Sequence, residues 1–330
     1  MRNWRSRKMR LFAIALFCLV SLCACNYWIN PHNSRQLTLS PLKTDVRAIA
    51  HAMGETTVPL HPQRVVAIHW YAAEVATALG VKLLGIPGPI LHYLDPKNIP
   101  KDITDIGWPV NIEKVVALKP DLLLGSVGWY QDTYRLWSQI APTVLDTMKY
   151  NGQWKEPFFQ IARFLGKTEK AKQIVSQYNA RIAEFKTKIG SRLKNMKVSV
   201  VSLNPGAINL VTKSSFSGVI LEDFGLQRPP SQDLDVNATR KLSNYPVNYV
   251  ISAELLAKLD GDALFLIASR FNSPLESQRA IGQLQTEPLW SKLKVVQQGK
   301  VYGVGEYWLS GSYITANRVI DDLFKYIVED

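Results

Sequence analysis

The chain reads as an α/β protein of two lobes with parallel sheets, joined by a single long α-helix. Three observations predict this. Short apolar runs alternate with helical patterns in two separate sets, as expected of parallel strands that helices cover on both faces. The longest periodic stretch of the sequence lies between the two sets. All three cysteines, Cys18, Cys23 and Cys25, fall near the amino terminus, so the rest of the chain has no disulfide framework and must be held by core burial.

Taken in order, the chain opens with a positive segment, Arg2, Arg5, Arg7, Lys8 and Arg10, followed by the apolar run from Leu11 to Val20. That run is too short for a permanent membrane anchor and has the form of an export signal. Ser6-Arg7-Lys8 lacks the second arginine of a twin-arginine signal, which favours general secretion. Leu22-Cys23-Ala24-Cys25 resembles a bacterial lipobox, so residues 1–24 are expected to be a lipoprotein signal peptide. Cys25 would then be the lipidated first residue of the mature protein. Each buried methylene of an acyl chain contributes about 0.8 kcal/mol, so a multiply acylated cysteine stays at the membrane. Removing the five basic residues of the leader lowers the formal charge from +12 to +7. That balance favours anionic partners, but no basic patch interleaved with aromatics points to nucleic acid.

Residues 25–45 are polar and aperiodic and read as a lipidated cysteine followed by a flexible tether. The amino-terminal lobe is placed at residues 46–166. It contains strands at Arg64–Ile68, Lys82–Ile86, Asp102–Gly107 and Asp121–Leu124, and helices at Ala72–Leu79 and Asn111–Leu118. In the connecting helix, residues 167–195, apolar Ile174, Tyr178, Ile182, Phe185, Ile189 and Leu193 recur at steps of three and four, over roughly seven turns. The carboxy-terminal lobe, residues 196–330, carries strands at Val198–Leu203, Ile208–Thr212, Ala263–Ala268 and Val301–Val304. Its helices are placed at Ser217–Phe224 and Thr315–Val328. Leu118–Ser126 and Leu259–Ser269 echo each other as helix end, turn and buried strand. Ligands of open α/β sheets sit at the carboxyl ends of strands, so the loops there are the place to look for a site.

Several segments then resemble the periplasmic binding proteins of ferric-siderophore and vitamin B12 ABC importers. They are Val58–Ile68, Glu74 with Ala78–Lys82, Ile106-Gly107, Asn111–Asp121, Gln139–Thr143, Leu165-Gly166, Ile220–Leu226, Pro288–Trp290, and Trp308 with Asp321–Leu323. Their order carries the resemblance, which spans about residues 46 to 330. It implies the helical-backbone fold, with a shallow cleft between the lobes and small closing motions. It also implies a non-enzymatic role without a cofactor: capture of a ferric chelate, iron held by the siderophore, and delivery to a permease dimer with its ATPase subunits. The protein would be a monomer on the outer face of the bacterial cytoplasmic membrane, anchored by lipid on Cys25 and facing periplasm or exterior.

The resemblance assigns Glu74 and Glu222 to docking on permease arginines, where an exposed ion pair of about 0 to 1 kcal/mol would orient more than drive binding. Strand-end loops bring Trp70, Trp108, Trp129 and Tyr130 to the expected cleft, with Phe216, Tyr307 and Trp308 from the second lobe. Aromatics supply large contact area at low entropic cost. Arg270 offers a bidentate donor for a carboxylate or hydroxamate oxygen. Ferric-hydroxamate relatives place an arginine shortly after the glycine equivalent to Gly107, where Trp108 and Pro109 stand here. A carboxylate-bearing chelate facing Arg270, Lys213 and Arg240, citrate or a citrate-based hydroxamate, is therefore the sequence's first expectation.

The alternatives are haem, with Tyr93, Tyr130 or His92 as axial ligand, cobalamin, or a bare Fe(III) site built on tyrosines. The five histidines show no metal-ligand spacing. Three Ser-x-x-Lys matches lack the companion motifs of penicillin-binding enzymes, and Gly166-Lys-Thr168 lacks the first glycine of a phosphate-binding loop.

Overall fold

The computed structural model describes residues 45–88, 90, 102–268 and 274–329. The expected signal peptide, Cys25, His92, Tyr93 and Arg270 lie outside these residues, as does nearly all of the expected tether.

Twelve strands are described: β1 Val46–His51, β2 Gly54–Pro59, β3 Val65–Ala67, β4 Leu83–Ile86, β5 Thr104–Asp105, β6 Leu122–Ser126, β7 Thr143–Asp146, β8 Val198–Asn204, β9 Ala207–Val211, β10 Asn248–Ile251, β11 Ala263–Ala268 and β12 Val301–Val304. The helices are α1 Trp70–Ala78, α2 Ile112–Ala117, α3 Val127–Tyr130, α4 Tyr134–Ile140, α5 Lys155–Phe164, α6 Thr168–Ile189, α7 Phe216–Phe224, α8 Val236–Arg240, α9 Pro274–Thr286, α10 Lys294–Gln297 and α11 Tyr313–Leu323.

The first five-stranded sheet runs β5-β4-β3-β6-β7 and all its pairings are parallel. The second runs β10-β9-β8-β11-β12; β11 and β12 are parallel to β8, while β9 is antiparallel to both β8 and β10. The two echoed segments become equivalent strands, since β6 pairs with β3 as β11 pairs with β8. In each sheet the chain winds outward from one strand and then returns to that strand's other side. This reversal opens a crevice at the carboxyl ends of β3 and β6, and again at those of β8 and β11.

Helix α6 is the seam. Its Tyr178 packs edge-on against Trp154, Phe224 and Tyr313, and the Tyr178 hydroxyl donates to Asp223 at 2.7 Å. Asp223 also receives Lys155 at 2.6 Å, and Arg181 reaches Asn317 and Asp321 on α11. The helix stops at Ile189, earlier than expected, because Gly190 takes a positive φ of 59°, which ends α-helical hydrogen bonding at little steric cost to glycine. Residues 190–195 continue as a 3₁₀ turn. The last helix likewise ends at Leu323 and widens into a π-helical turn, Phe324–Val328. The amino-terminal hairpin β1–β2 was not expected from the sequence; it pairs over its whole length and binds β7 through Ala52, whose N–H donates to the Leu145 carbonyl. Among the described helices none is long and apolar enough to cross a membrane.

Candidate ligand-binding cleft

A cavity of about 590 Å³ opens between the two sheets, at the crevices that the strand order creates. Its size suits a ligand of drug-like dimensions. The amino-terminal lobe contributes Trp70 after β3, Pro87 after β4 and Trp108 after β5. Trp108 follows Gly107, whose φ of 84° needs a residue without Cβ, and the indole is 46% exposed. The carboxy-terminal lobe contributes Ser202, Asn204, Asn209, Asn248 and Val250 from its sheet. Around them lie the 243–245 turn and the segment containing Glu306, Leu309 and Ser310.

Strand alternation explains the second wall. Along β8 one face reads Val198, Val200, Ser202, Asn204, and the other reads Ser199, Val201 and Leu203. The first two valines lie in the core, and the same face turns polar where the strand leaves it. Ser202 stands opposite Asn209, and Asn209 opposite Val250, so one cross-strand row runs into the cleft. The Asn209 amide donates to the Ser202 carbonyl at 3.2 Å, which fixes its orientation.

Behind the aromatic wall lies a buried polar chain. The Ser126 hydroxyl donates to Asp146 at 2.8 Å and sits 2.8 Å from His69 Nδ1. A serine has one proton to give, so with Asp146 ionised the proton goes to the carboxylate and His69 Nδ1 is the protonated nitrogen that donates to Ser126. Nε2 is left as a bare acceptor with no partner. Burial pushes the His69 pKa down to about 3 and the Asp146 pKa up to about 7. Trp129 lies over the imidazole at 4.2 Å and Trp70 flanks it at 4.9 Å. The order of groups is histidine, serine, carboxylate, so with Asp146 ionised the serine proton points away from the imidazole, the reverse of what nucleophilic catalysis requires.

The residues expected in the cleft divide. Trp70 and Trp108 line it, and Trp129 is exposed beside it, against His69 and Trp70. Tyr130, Phe216 and Trp308 are core side chains instead. The Tyr130 hydroxyl donates to the Ile68 carbonyl, a bond that also removes it as a haem ligand. Phe216 packs on Trp154. Trp308 stacks on Phe265 and donates to Asp322 at 2.8 Å. Tyr307 is half-buried, its hydroxyl on Asp322 at 2.6 Å and its ring under Arg318. Lys213 is paired with Asp233 at 2.9 Å, and neither it nor Arg240 lines the cavity.

The two glutamates also part. Glu222 is exposed on α7. Glu74 is fully buried, and its two oxygens accept the hydroxyls of Ser310 and Ser312. It fastens α1 to the start of α11 and presents no charge to a docking partner. Burial raises its pKa. Among the exposed carboxylates of the amino-terminal lobe is Glu113, in the first turn of α2 and five residues past Trp108. Among the described residues no group of three or more His, Cys, Asp or Glu is placed to hold a metal.

The sequence reading missed the cleft asparagines. A signal existed in the switch from valine to serine and asparagine along one face of β8.

Comparison with known proteins agrees with this architecture. The probable siderophore-binding lipoprotein YfiY of Bacillus subtilis is 28% identical over 333 residues, 98% of this chain and 99% of its own. The ferric-anguibactin-binding protein FatB of Vibrio anguillarum is 28% identical over 330 residues, 95% of this chain and 96% of its own. The crystal structure of Staphylococcus aureus SirA complexed with staphyloferrin B matches with a TM-score of 0.72 at 26% identity, covering 85% of this chain and 98% of that one. The model of the family described as periplasmic binding protein matches residues 65–307, and the chain belongs to that family.

Proposed function

We propose that this chain is the substrate-binding lipoprotein of an ABC importer, which captures a ferric siderophore in the cleft between its lobes and delivers it to the membrane permease. The observation that carries this reading is the cavity of about 590 Å³ between two sheets, walled by tryptophans on one side and side-chain amides on the other. Its relatives, a probable siderophore-binding lipoprotein and a ferric-anguibactin-binding protein, supply the chemical class. The iron arrives already chelated, so the protein needs no ligand cluster of its own and performs no chemistry on its cargo. Lipid on Cys25 holds a monomer at the outer face of the cytoplasmic membrane, and no resident cofactor is involved. Glu113 and Glu222, exposed carboxylates on opposite lobes, take the docking role that the buried Glu74 does not offer.

The test titrates the full chain in detergent with ferric trihydroxamate, ferric citrate, ferric tris-catecholate, haem and cobalamin, following tryptophan fluorescence. Saturable quenching by a ferric chelate, but not by its iron-free form, is expected. Silence from every ferric chelate would refute the reading. In cells, Glu113→Arg with Glu222→Arg is expected to abolish iron uptake while leaving chelate affinity within about twofold, because rim charges orient docking without touching the cargo.

A further inference from the structure

We propose, on the basis of the siderophore reading above, that this cleft is built for a ferric chelate of low net charge whose periphery carries amide and hydroxamate groups on aliphatic spacers. Carboxylate-rich and tris-catecholate chelates would be disfavoured.

The two walls ask for different things of one ligand. Trp70, Pro87 and Trp108 form an apolar wall that suits methylene spacers. Opposite them, Asn204, Asn209, Asn244 and Asn248 offer neutral amides, with Ser202 and Ser243 between them. A side-chain amide presents a carbonyl acceptor and two N–H donors. Amide and hydroxamate groups on a ligand present the complementary set, so the match is made without charge.

A strongly anionic chelate requires the opposite lining. Moving it out of water is costly unless cations meet it. Among the described lining residues there is no lysine or arginine. Lys213, expected from the sequence to face a carboxylate, is engaged by Asp233 outside the cavity. Asn209 is itself buried, and its amide is held by the Ser202 carbonyl, so this part of the wall is oriented before any ligand arrives.

The experiment measures dissociation constants of the full chain in detergent for three probes. They are ferrioxamine B, a linear trihydroxamate with amide-joined methylene spacers, ferric citrate and a ferric tris-catecholate. Ferrioxamine B is expected to bind at least about tenfold tighter than either other chelate, and its affinity to change less than about threefold between low salt and roughly 0.5 M salt. Asn204→Ala with Asn248→Ala is expected to weaken ferrioxamine B by about tenfold, the loss of one or two neutral hydrogen bonds. Asn248→Lys should weaken it too and tighten ferric citrate. Circular dichroism of each variant separates lost contacts from lost fold, and Asn204 is exposed enough to be replaced without disturbing the core. Tighter binding of citrate or the tris-catecholate, a steep loss of affinity with salt, or full affinity in the double asparagine variant would overturn this inference and leave the siderophore reading standing. No binding of any ferric chelate by folded protein would overturn both.

Discussion

The two lobes reach the same cleft by different means. In the amino-terminal lobe every pairing of the five-stranded sheet is parallel and both sheet faces are covered, so the wall is supplied by the chain after β3, β4 and β5, carrying Trp70, Pro87 and Trp108. In the carboxy-terminal lobe β9 and β10 run as an antiparallel edge, so the sheet's own face reaches the cavity and strand residues make the wall. A parallel sheet buried on both sides leaves only its loops for function, whereas an antiparallel edge can keep one face open. Loops carry bulky aromatics easily. A strand face carries a row whose register is set by pairing, and that register lines up Ser202, Asn209 and Val250.

The contrast extends to the two glutamates, and it can be broken there most forcefully. Glu74 of the first lobe is an internal fastener, whereas Glu222 of the second faces outward. Glu74→Ala leaves two buried hydroxyls without an acceptor and a void between α1 and α11. It is expected to lower unfolding free energy by about 3 kcal/mol. Glu222→Ala should lie within about 0.5 kcal/mol of the parent. Urea denaturation of both variants measures the difference, and equal losses would show that Glu74 does not join the lobes.

A second, smaller effect sharpens what lies behind the aromatic wall. His69 has its pKa lowered from 6.5 to about 3, so the stability it contributes is present above 6.5 and is lost as pH falls. Asp146 has its pKa raised from 3.8 to about 7, so its contribution runs the other way. The folded state holds the proton more tightly, and acidification from 7 toward 3.8 relieves its penalty. The two nearly cancel between pH 7 and 5. Asp146→Asn removes the relief and leaves the histidine, so the variant is expected to lose about 2 kcal/mol over that interval while the parent stays nearly level. A level variant would show that His69 is not held neutral by its burial.

The smallest effect separates the aromatic wall from the core aromatics. Trp108→Ala is expected to weaken the preferred ferric chelate by about tenfold, near 1.4 kcal/mol, with thermal stability unchanged, because the indole is already partly in water. Trp308→Ala, by contrast, should unfold the protein more readily by about 3 to 5 kcal/mol. If Trp108 behaves like Trp308, the amino-terminal wall is part of the packing and not of the site.

Much of this architecture was legible beforehand. The strands near Val65, Leu83, Leu122, Val198 and Ala263 stood out because each is a short apolar run between helical patterns. Helix α6 stood out because six apolar residues keep one face over many turns. Helix α9 and strands β7 and β10 did not, since each is short or weakly patterned and depends on a neighbour for its pairing or packing. The hairpin β1–β2 was hidden because its strands, Val-Arg-Ala-Ile-Ala-His and Gly-Glu-Thr-Thr-Val-Pro, keep no regular apolar alternation and gain their place by pairing with each other and leaning on β7.

What the sequence determined by itself was therefore what local pattern can encode: the alternation of strands and helices in two sets, the long helix between them, and aromatics at strand ends. Which of those aromatics faces the ligand was decided by tertiary structure. Trp70 and Trp108 meet an open cavity, whereas Trp308 meets Phe265 and Asp322. The same holds for Glu74, whose partners lie more than two hundred residues away along the chain. A side chain's type sets the contacts it can make, but only the folded chain decides which distant group, or water, is there to make them.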